Sequence, residues 1–527
     1  MDNGDLLANG SDPRALASAL RDRLTQVRRE ALDAAATTLA GWQGALDGSD
    51  FAESAANLAL FLALRRIDLT VEQAALARLG LSSLGRSESH VRATLDAVIA
   101  ALTTLADTTP IQGTVSPLLT YSRHRIDARR DAIFGTDPKG RSTRILVTLP
   151  TEAAESADLI GNLVAAGANA VRINCAHDSP EAWGAMIAHT RAVAEAAGRR
   201  VPVLMDLAGP KVRTATVSCP EALLAREKKK KLQKLKRAGL ALCAGGPRLM
   251  RGDEIVLTAG GVDDPKRVTI TLSHPRLIQA LRPGATVHFD DGKLGAQVIA
   301  VSEGRAELQI THARAKGARL AAEKGVNLPG VDIDIPALTE ADLAALDFAV
   351  QHADIIGYSF VQTARDVRAL QGAIAARLPA GGSSPAIVLK VETDLAVRNL
   401  PRLIVQASTT GPVAVMIARG DLAVEIGLER LTEIQEEILW LCEAAEVPVI
   451  WATQVLEGLA KEGHASRAEA TDAARGQRAE CVMLNKGPYA AEAVAFLDRV
   501  LRRMDRHQAK KTPRLAPLRA WRDPQAL

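Results

Sequence analysis

"VLMDLAGPKVRTATV", residues 203–217, is an aliphatic run that stops at a charge. Val203, Leu204 and Met205 lead into Asp206, the Ala208-Gly209-Pro210 stretch makes a turn, and Lys211 and Arg213 follow. A salt-bridged loop would explain such a stretch taken alone. The same texture recurs, however, at 144–150 (RILVTLP), 169–175 (NAVRINC), 201–207 (VPVLMDL), 353–359 (ADIIGYS), 386–392 (AIVLKVE), 413–419 (VAVMIAR), 447–453 (VPVIWAT) and 480–486 (ECVMLNK), eight runs in all. All but one of the segments that follow are helix-sized, such as "ARDVRALQGAIAARL" and "RLTEIQEEILWLCEAAE". Apolar strands alternating with helices predict an α/β fold, a parallel (β/α)8 TIM barrel. A doubly wound open sheet is the alternative.

The exception is the third interval, about 215–323. It contains "DEIVLTAG", "KRVTITL", "ATVHFDDGKLGAQVIAV" and "RAELQITHARA", which read as antiparallel strands joined by Gly and Asp turns. A small β-rich domain is therefore expected as an insert after strand three. Its basic run "REKKKKLQKLKR", 226–237, reads as a solvated helix face. Residues 12 to about 108 carry helical spacing and a Ser-Asp-Pro start signal, and "DTTPIQGTVSP" and "GTDPKGRST" (135–143) read as linkers. The expected division is an N-terminal helical domain with linker (1–135), a first barrel part (136–214), a β-rich lid (215–323), a second barrel part (324–508) and a tail (509–527).

The chain has 527 residues, 47% hydrophobic and 24% charged, with only 3% aromatic, so its core is mainly Ala, Leu, Val and Ile. A net charge of +4 is small for this length and gives no sign of a nucleic-acid partner. Five cysteines without metal-ligand spacing read as reduced thiols. The acidic, polar start is wrong for a signal peptide, and no apolar stretch reaches the roughly 18 residues of a spanning helix. A cytoplasmic protein with no membrane partner is expected.

In such a barrel the active site lies where the strands end. Here the ends are polar: Arg172, Asn174 and His177 after run two; Asp206, Lys211 and Arg213 after run three; Lys390 and Glu392 on run five. Run six ends in Arg419, Gly420 and Asp421, run seven in Thr453 and Gln454, run eight in Asn485 and Lys486. Three cations (Arg172, Arg213, Lys390) with two carboxylates (Glu392, Asp421) suit phosphoryl chemistry. The carboxylates would hold a hard divalent ion, and the cations would offset phosphate charge.

These motifs resemble the pyruvate kinase family. "VRINCAHDSPEAW", "MDLAGPKVRT", "HFDDGK", "EKGVNLPGVDIDIPALTEADLAAL", "LKVET", "MIARGDLAVEIG", "WATQVLEGL" and "HASRAEATDAA" follow the family's order over about 144–500. The resemblance implies transfer of a phosphoryl group from phosphoenolpyruvate to ADP, giving pyruvate and ATP, the last step of glycolysis. It implies that Lys390 balances charge on the group in flight and that Arg172 binds it. It also implies that Glu392 and Asp421 hold Mg²⁺ (or Mn²⁺), and that Thr453 with the Gly420 and Asp421 amides grips the carboxylate. Thr453 would further serve in protonation, and Asn174, His177, Arg213 and Lys324 would face the nucleotide, with the insert closing as a lid.

Departures from the family pattern carry their own expectations. Its monovalent-cation site keeps Asn174 and Asp206, but Ala176 and Leu207 replace two hydroxyls, and Lys211 stands where Glu is usual. Lys211 is expected to supply the missing charge, as in the K⁺-independent variant; a decayed site would show the same losses. "LNKGPYAAEAV", 484–494, replaces a longer loop. The family's usual C-terminal effector domain is not expected, and a homo-oligomer through the barrel is. A Mg²⁺-dependent lyase or aldolase on a 2-oxo acid, and a non-catalytic regulatory paralogue, are the rival readings.

Overall fold

The computed structural model describes residues 12–46, 49–107, 118–218, 246–260, 264, 266–331, 335–379, 381–509 and 512–513. The basic run at 226–237 and Cys219 and Cys243 lie outside these residues. All eight aliphatic runs are strands: β1 (Arg144–Thr148), β2 (Ala170–Asn174), β3 (Val203–Asp206), β4 (Ile355–Tyr358), β5 (Ala386–Val391), β6 (Val413–Ala418), β7 (Val449–Ala452) and β8 (Cys481–Leu484). They form a closed barrel in sequential order, every neighbouring pair parallel.

Strand side chains alternate faces, and here both faces are apolar because helices cover the outside. Leu146, Ala170, Leu204, Ile355, Val388 and Met416 point into the lumen and pack together. Their neighbours Ile145, Val147, Val203, Met205, Val415 and Ile417 belong to the outer core under the helices. Two residues beyond each lumen residue lies the next inward position: Thr148, Arg172, Asp206, Gly357, Lys390 and Ala418. Side-chain alternation alone thus stacks a polar layer on an aliphatic one.

The lumen is closed at the other end by Ile133 and Phe134, both buried, from the end of a helix over Leu118–Phe134. That helix was not apparent in the sequence, because its Arg- and Asp-rich stretch has no apolar stripe. Arg144 at the start of β1 donates to the Gly135 carbonyl at 2.7 Å and pairs with Asp131, fixing the helix end against the barrel.

Helices Pro13–Ala40, Ala52–Leu64 and Val91–Asp107 pack on one another as expected, and Asp12 caps the first. Their apolar residues are continuous with the outer core of the barrel. Docking is onto the end of helix Leu428–Ala444: Asn57 Nδ2 donates to the Ala444 carbonyl at 2.8 Å, and Arg125 pairs with Glu446 at 3.0 Å. Among the described residues, no helix is long and apolar enough to cross a membrane.

Between β3 and β4 the chain builds a seven-stranded sheet, mostly antiparallel. One pairing departs from expectation: Glu254–Thr258 and Val268–Leu272 run parallel. The sheet's entry and exit are pinned side by side, with Arg213 bridging Gly325 and the Thr214 amide donating to the Lys324 carbonyl at 2.9 Å.

Candidate active site at the barrel rim

The polar lumen layer is built around Lys390. Its ammonium lies 3.2 Å from Asp206, 3.2 Å from Glu392 and within hydrogen-bond reach of Ser359 Oγ. Asp206 also receives Arg172, with Nη2 at 2.6 Å, and Arg172 donates to Thr148 Oγ1 at 3.0 Å. Asp206 and Glu392 are only 1% and 3% exposed, so both charges depend on these partners. Burial opposes the Asp206 charge, but Lys390 and Arg172 outweigh it and hold its carboxyl below the ordinary range. Burial likewise opposes the Lys390 charge, and Asp206 and Glu392 outweigh it, so Lys390 stays cationic. Gly357 makes room for this arrangement: a Cβ there would stand 2.7 Å from Asp206 Oδ1.

Glu392 behaves differently. Burial pushes its carboxyl up, and although Lys390 pulls the other way, repulsion from Asp421 adds to the rise. Its second oxygen accepts the Phe360 amide at 2.6 Å, from a residue with φ +54°. Asp421, in the first turn of helix Arg419–Ile426, binds the Lys211 ammonium at 2.7 Å. Lys211 also lies 3.5 Å from Asp291 of the inserted sheet. This placement differs from the expectation that Lys211 fills the vacated monovalent site. Asp206 is already balanced by two cations, and Asn174 Oδ1 accepts the Ala176 amide at 3.1 Å. The Lys211 stem passes where a Cβ on Gly325 would be 2.8 Å from its Cε, and so reaches across to Asp421.

Four residues on, burial together with Asp394 and Asp421 pushes Glu425 up to about 7. A folded-state value above the unfolded one means that the stabilising contribution is complete below about pH 4.5 and is lost as pH rises through about 7. Glu425→Gln should therefore stabilise the metal-free protein by on the order of 1 kcal/mol at pH 8.5 and by almost nothing at pH 4.5. Thermal melts in EDTA at the two pH values check this; an equal shift at both would refute it.

After β7, Thr453, Gln454 and Leu456 all have positive φ (64°, 56° and 49°), the backbone strain found where a site over-determines geometry. Thr453 Oγ1 accepts the Gly420 amide at 2.7 Å, which leaves the hydroxyl proton free to be donated elsewhere. Arg419 turns away from the rim. It pairs with Asp472, donates to the Thr453 carbonyl at 2.8 Å and stacks 4.5 Å over Trp451, bracing the strained turn.

Arg213 and Lys324 meet at the hinge of the inserted sheet, Arg213 donating to the Glu323 carbonyl at 3.0 Å and Lys324 pairing with Asp290 at 3.2 Å. His177 lies on an exposed loop after β2, its carbonyl accepting Trp183 Nε1 at 2.9 Å. A cleft of about 470 Å³ separates sheet and rim, lined by His288, Asp291 and His312 on one side and Gly420, Glu425 and Gln454 on the other. Sequence reasoning missed Ser359, Asp291 and the Phe360 amide. Only Ser359 had a usable signal, being the inward position after Ile355 and Gly357.

Comparison with known proteins gives consistent matches. The family model described as "Pyruvate kinase, barrel domain" matches residues 140–494. Pyruvate kinase 1 of Trypanosoma brucei brucei is 30% identical over 379 residues, 70% of this chain and 68% of that protein. Pyruvate kinase of Geobacillus stearothermophilus is 31% identical over 373 residues, 69% of this chain but only 57% of that protein. Pyruvate kinase of Methylorubrum extorquens is 31% identical over 375 residues, 70% of each.

Proposed function

Because this chain belongs to the pyruvate kinase family, we propose that it transfers the phosphoryl group of phosphoenolpyruvate to ADP, yielding pyruvate and ATP as the closing step of glycolysis. The observation that carries this reading is the buried Lys390 ammonium, held by Asp206, Glu392 and Ser359 beside Arg172 at the barrel rim. A positioned, desolvated cation is what a transferring phosphoryl group requires.

Glu392 and Asp421 fit a hard divalent ion. They are oxygen donors close enough for Asp421 to raise the Glu392 proton affinity. Among the described residues no group of three His, Cys, Asp or Glu side chains gathers to hold a metal alone. That suits Mg²⁺, or Mn²⁺, which takes one or two carboxylates and completes its shell with water and substrate oxygens. When bound, the ion would supply charge neutralisation at the phosphate and the enolate oxygen.

Arg172 binds the phosphoryl oxygens of phosphoenolpyruvate, and Lys390 offsets charge as the P–O bond breaks and the bond to the ADP oxygen forms. The enolate left behind takes up a proton at carbon. Thr453 serves at this stage through its hydroxyl, which stands at the Gly420 amide where the substrate carboxylate would sit. To grip the substrate carboxylate, the Gly420 amide must exchange Thr453 for that carboxylate. Asn174, His177, Arg213 and Lys324 serve the nucleotide. The inserted sheet closes over them from its pinned hinge and excludes water.

We assign K⁺ independence on two grounds. Asp206 is neutralised by Arg172 and Lys390, and Leu207 is buried with no side-chain oxygen to offer a cation, its carbonyl accepting Ser359 Oγ. Pyruvate formation in Mg²⁺ is expected to agree within about twofold with and without K⁺, because the charge the ion would bring is already covalently attached. Activity that appears only with K⁺ would refute this assignment while keeping the reaction. No turnover in either condition, with Mg²⁺ binding intact, would refute the reaction itself.

A further inference from the structure

Away from the rim, a cleft of about 1280 Å³ runs between the N-terminal helical unit and the flank of the barrel. Its charged lining is four arginines: Arg66 from the helical unit, Arg368 from helix Ala364–Ala375, and Arg398 and Arg402 from helix Asp394–Ala407. No Asp or Glu is among the described residues that line it. Arg398 and Arg402 are four apart on one helix and so share a face, an arrangement of like charges that costs stability unless an anion answers it. Arg398 pairs with Asp394 at 3.1 Å, and Arg368 donates to the Gln406 amide oxygen. Arg66 and Arg402 are exposed and have no carboxylate partner among the described residues. Trp42, buried, forms part of the wall.

We propose that this cleft binds a phosphorylated small molecule carrying at least two anionic groups. Guanidinium forks match phosphate oxygens in pairs, and four of them converging from three elements suit two such groups better than one. The volume accommodates an organic body between them. A macromolecular polyanion would need a basic stripe extending along the surface, whereas these four arginines are confined to one cleft.

The cleft is also tied to the rim. Asp394, the partner of Arg398, is two residues after Glu392. Asn399, another lining residue, donates to the Gln362 carbonyl at 2.8 Å, two residues beyond the Phe360 amide that holds Glu392. A ligand that draws Arg398 from Asp394 would therefore act on the segment carrying a rim carboxylate, which makes the position a regulatory one.

The test is binding and needs no turnover, so it stands apart from the phosphoryl-transfer reading. Inorganic pyrophosphate is titrated calorimetrically into the full chain in EDTA. Binding is expected, weakened at least about tenfold by Arg66→Glu/Arg402→Glu and less by Arg66→Lys/Arg402→Lys. Arg172→Gln, which removes a rim cation, should leave the affinity within about twofold. No binding to the wild type, an affinity unmoved by charge reversal, or an affinity lost with Arg172→Gln would each overturn the proposal. Should the double reversal disturb folding, Arg402→Gln alone at its exposed position should weaken binding about threefold or more, and an unchanged affinity there would overturn it equally.

Discussion

Lys390→Met is expected to reduce pyruvate formation by about a thousandfold or more, the scale seen when a positioned charge is removed from a water-excluded site. It should also destabilise the protein by about 3–5 kcal/mol near neutral pH, since it leaves Asp206 and Glu392 buried with too little countercharge. The two effects separate by pH. In the variant both carboxyls should titrate above their unfolded values, so the destabilisation is largest above those values and shrinks as pH falls and they protonate. Urea midpoints at pH 7.5 and pH 5 measure this. An equal loss at both would mean that the missing methylene packing matters and the charge does not. A stable variant with unaltered turnover would remove Lys390 from the mechanism.

Phe134→Ala should cost about 3–5 kcal/mol, the range for a fully buried aromatic truncated to a methyl. Phe134 and Ile133 are the floor of the barrel lumen, and the residues they touch lie on the strands themselves. The loss should therefore appear as a lower unfolding midpoint for the barrel, not only for the helical unit. Tryptophan fluorescence reads the barrel through Trp451 on β7, which is fully buried. A barrel transition that does not move would mean that the helix end rests beneath the lumen without sealing it.

Much of the rim could be read in advance for one reason. In a strand, residues two apart share a face, so Arg172, Asp206 and Lys390 were bound to lie together once the eight runs were recognised as parallel strands. The same reasoning placed Glu392 beside Lys390, and the structure brings them to 3.2 Å. The polar strand ends likewise carry the cations and carboxylates on which the proposed phosphoryl chemistry rests. Arg419 was the exception among them, because its partner Asp472 comes from a later helix and turns it outward.

Periodicity reports the face a side chain takes and is silent about what stands across from it. Ser359, Asp291 and the Phe360 amide became part of the site through other strands and loops. The helix at Leu118–Phe134 was invisible because its Arg- and Asp-rich stretch shows no apolar stripe, although Ile133 and Phe134 reach the lumen core. The direction of Lys211 was undetermined as well, since it depends on the missing Cβ of Gly325, which is remote along the chain at the exit of the insert. The four-arginine cleft is the extreme case: each arginine is an ordinary surface cation in its own helix. On its own, then, the sequence determined the barrel, its insert and the inward-facing charges, because those follow from local alternation. Which cations meet which carboxylates, and which are left to meet an anion, was decided only in three dimensions, where side chains distant along the chain share the same few ångströms.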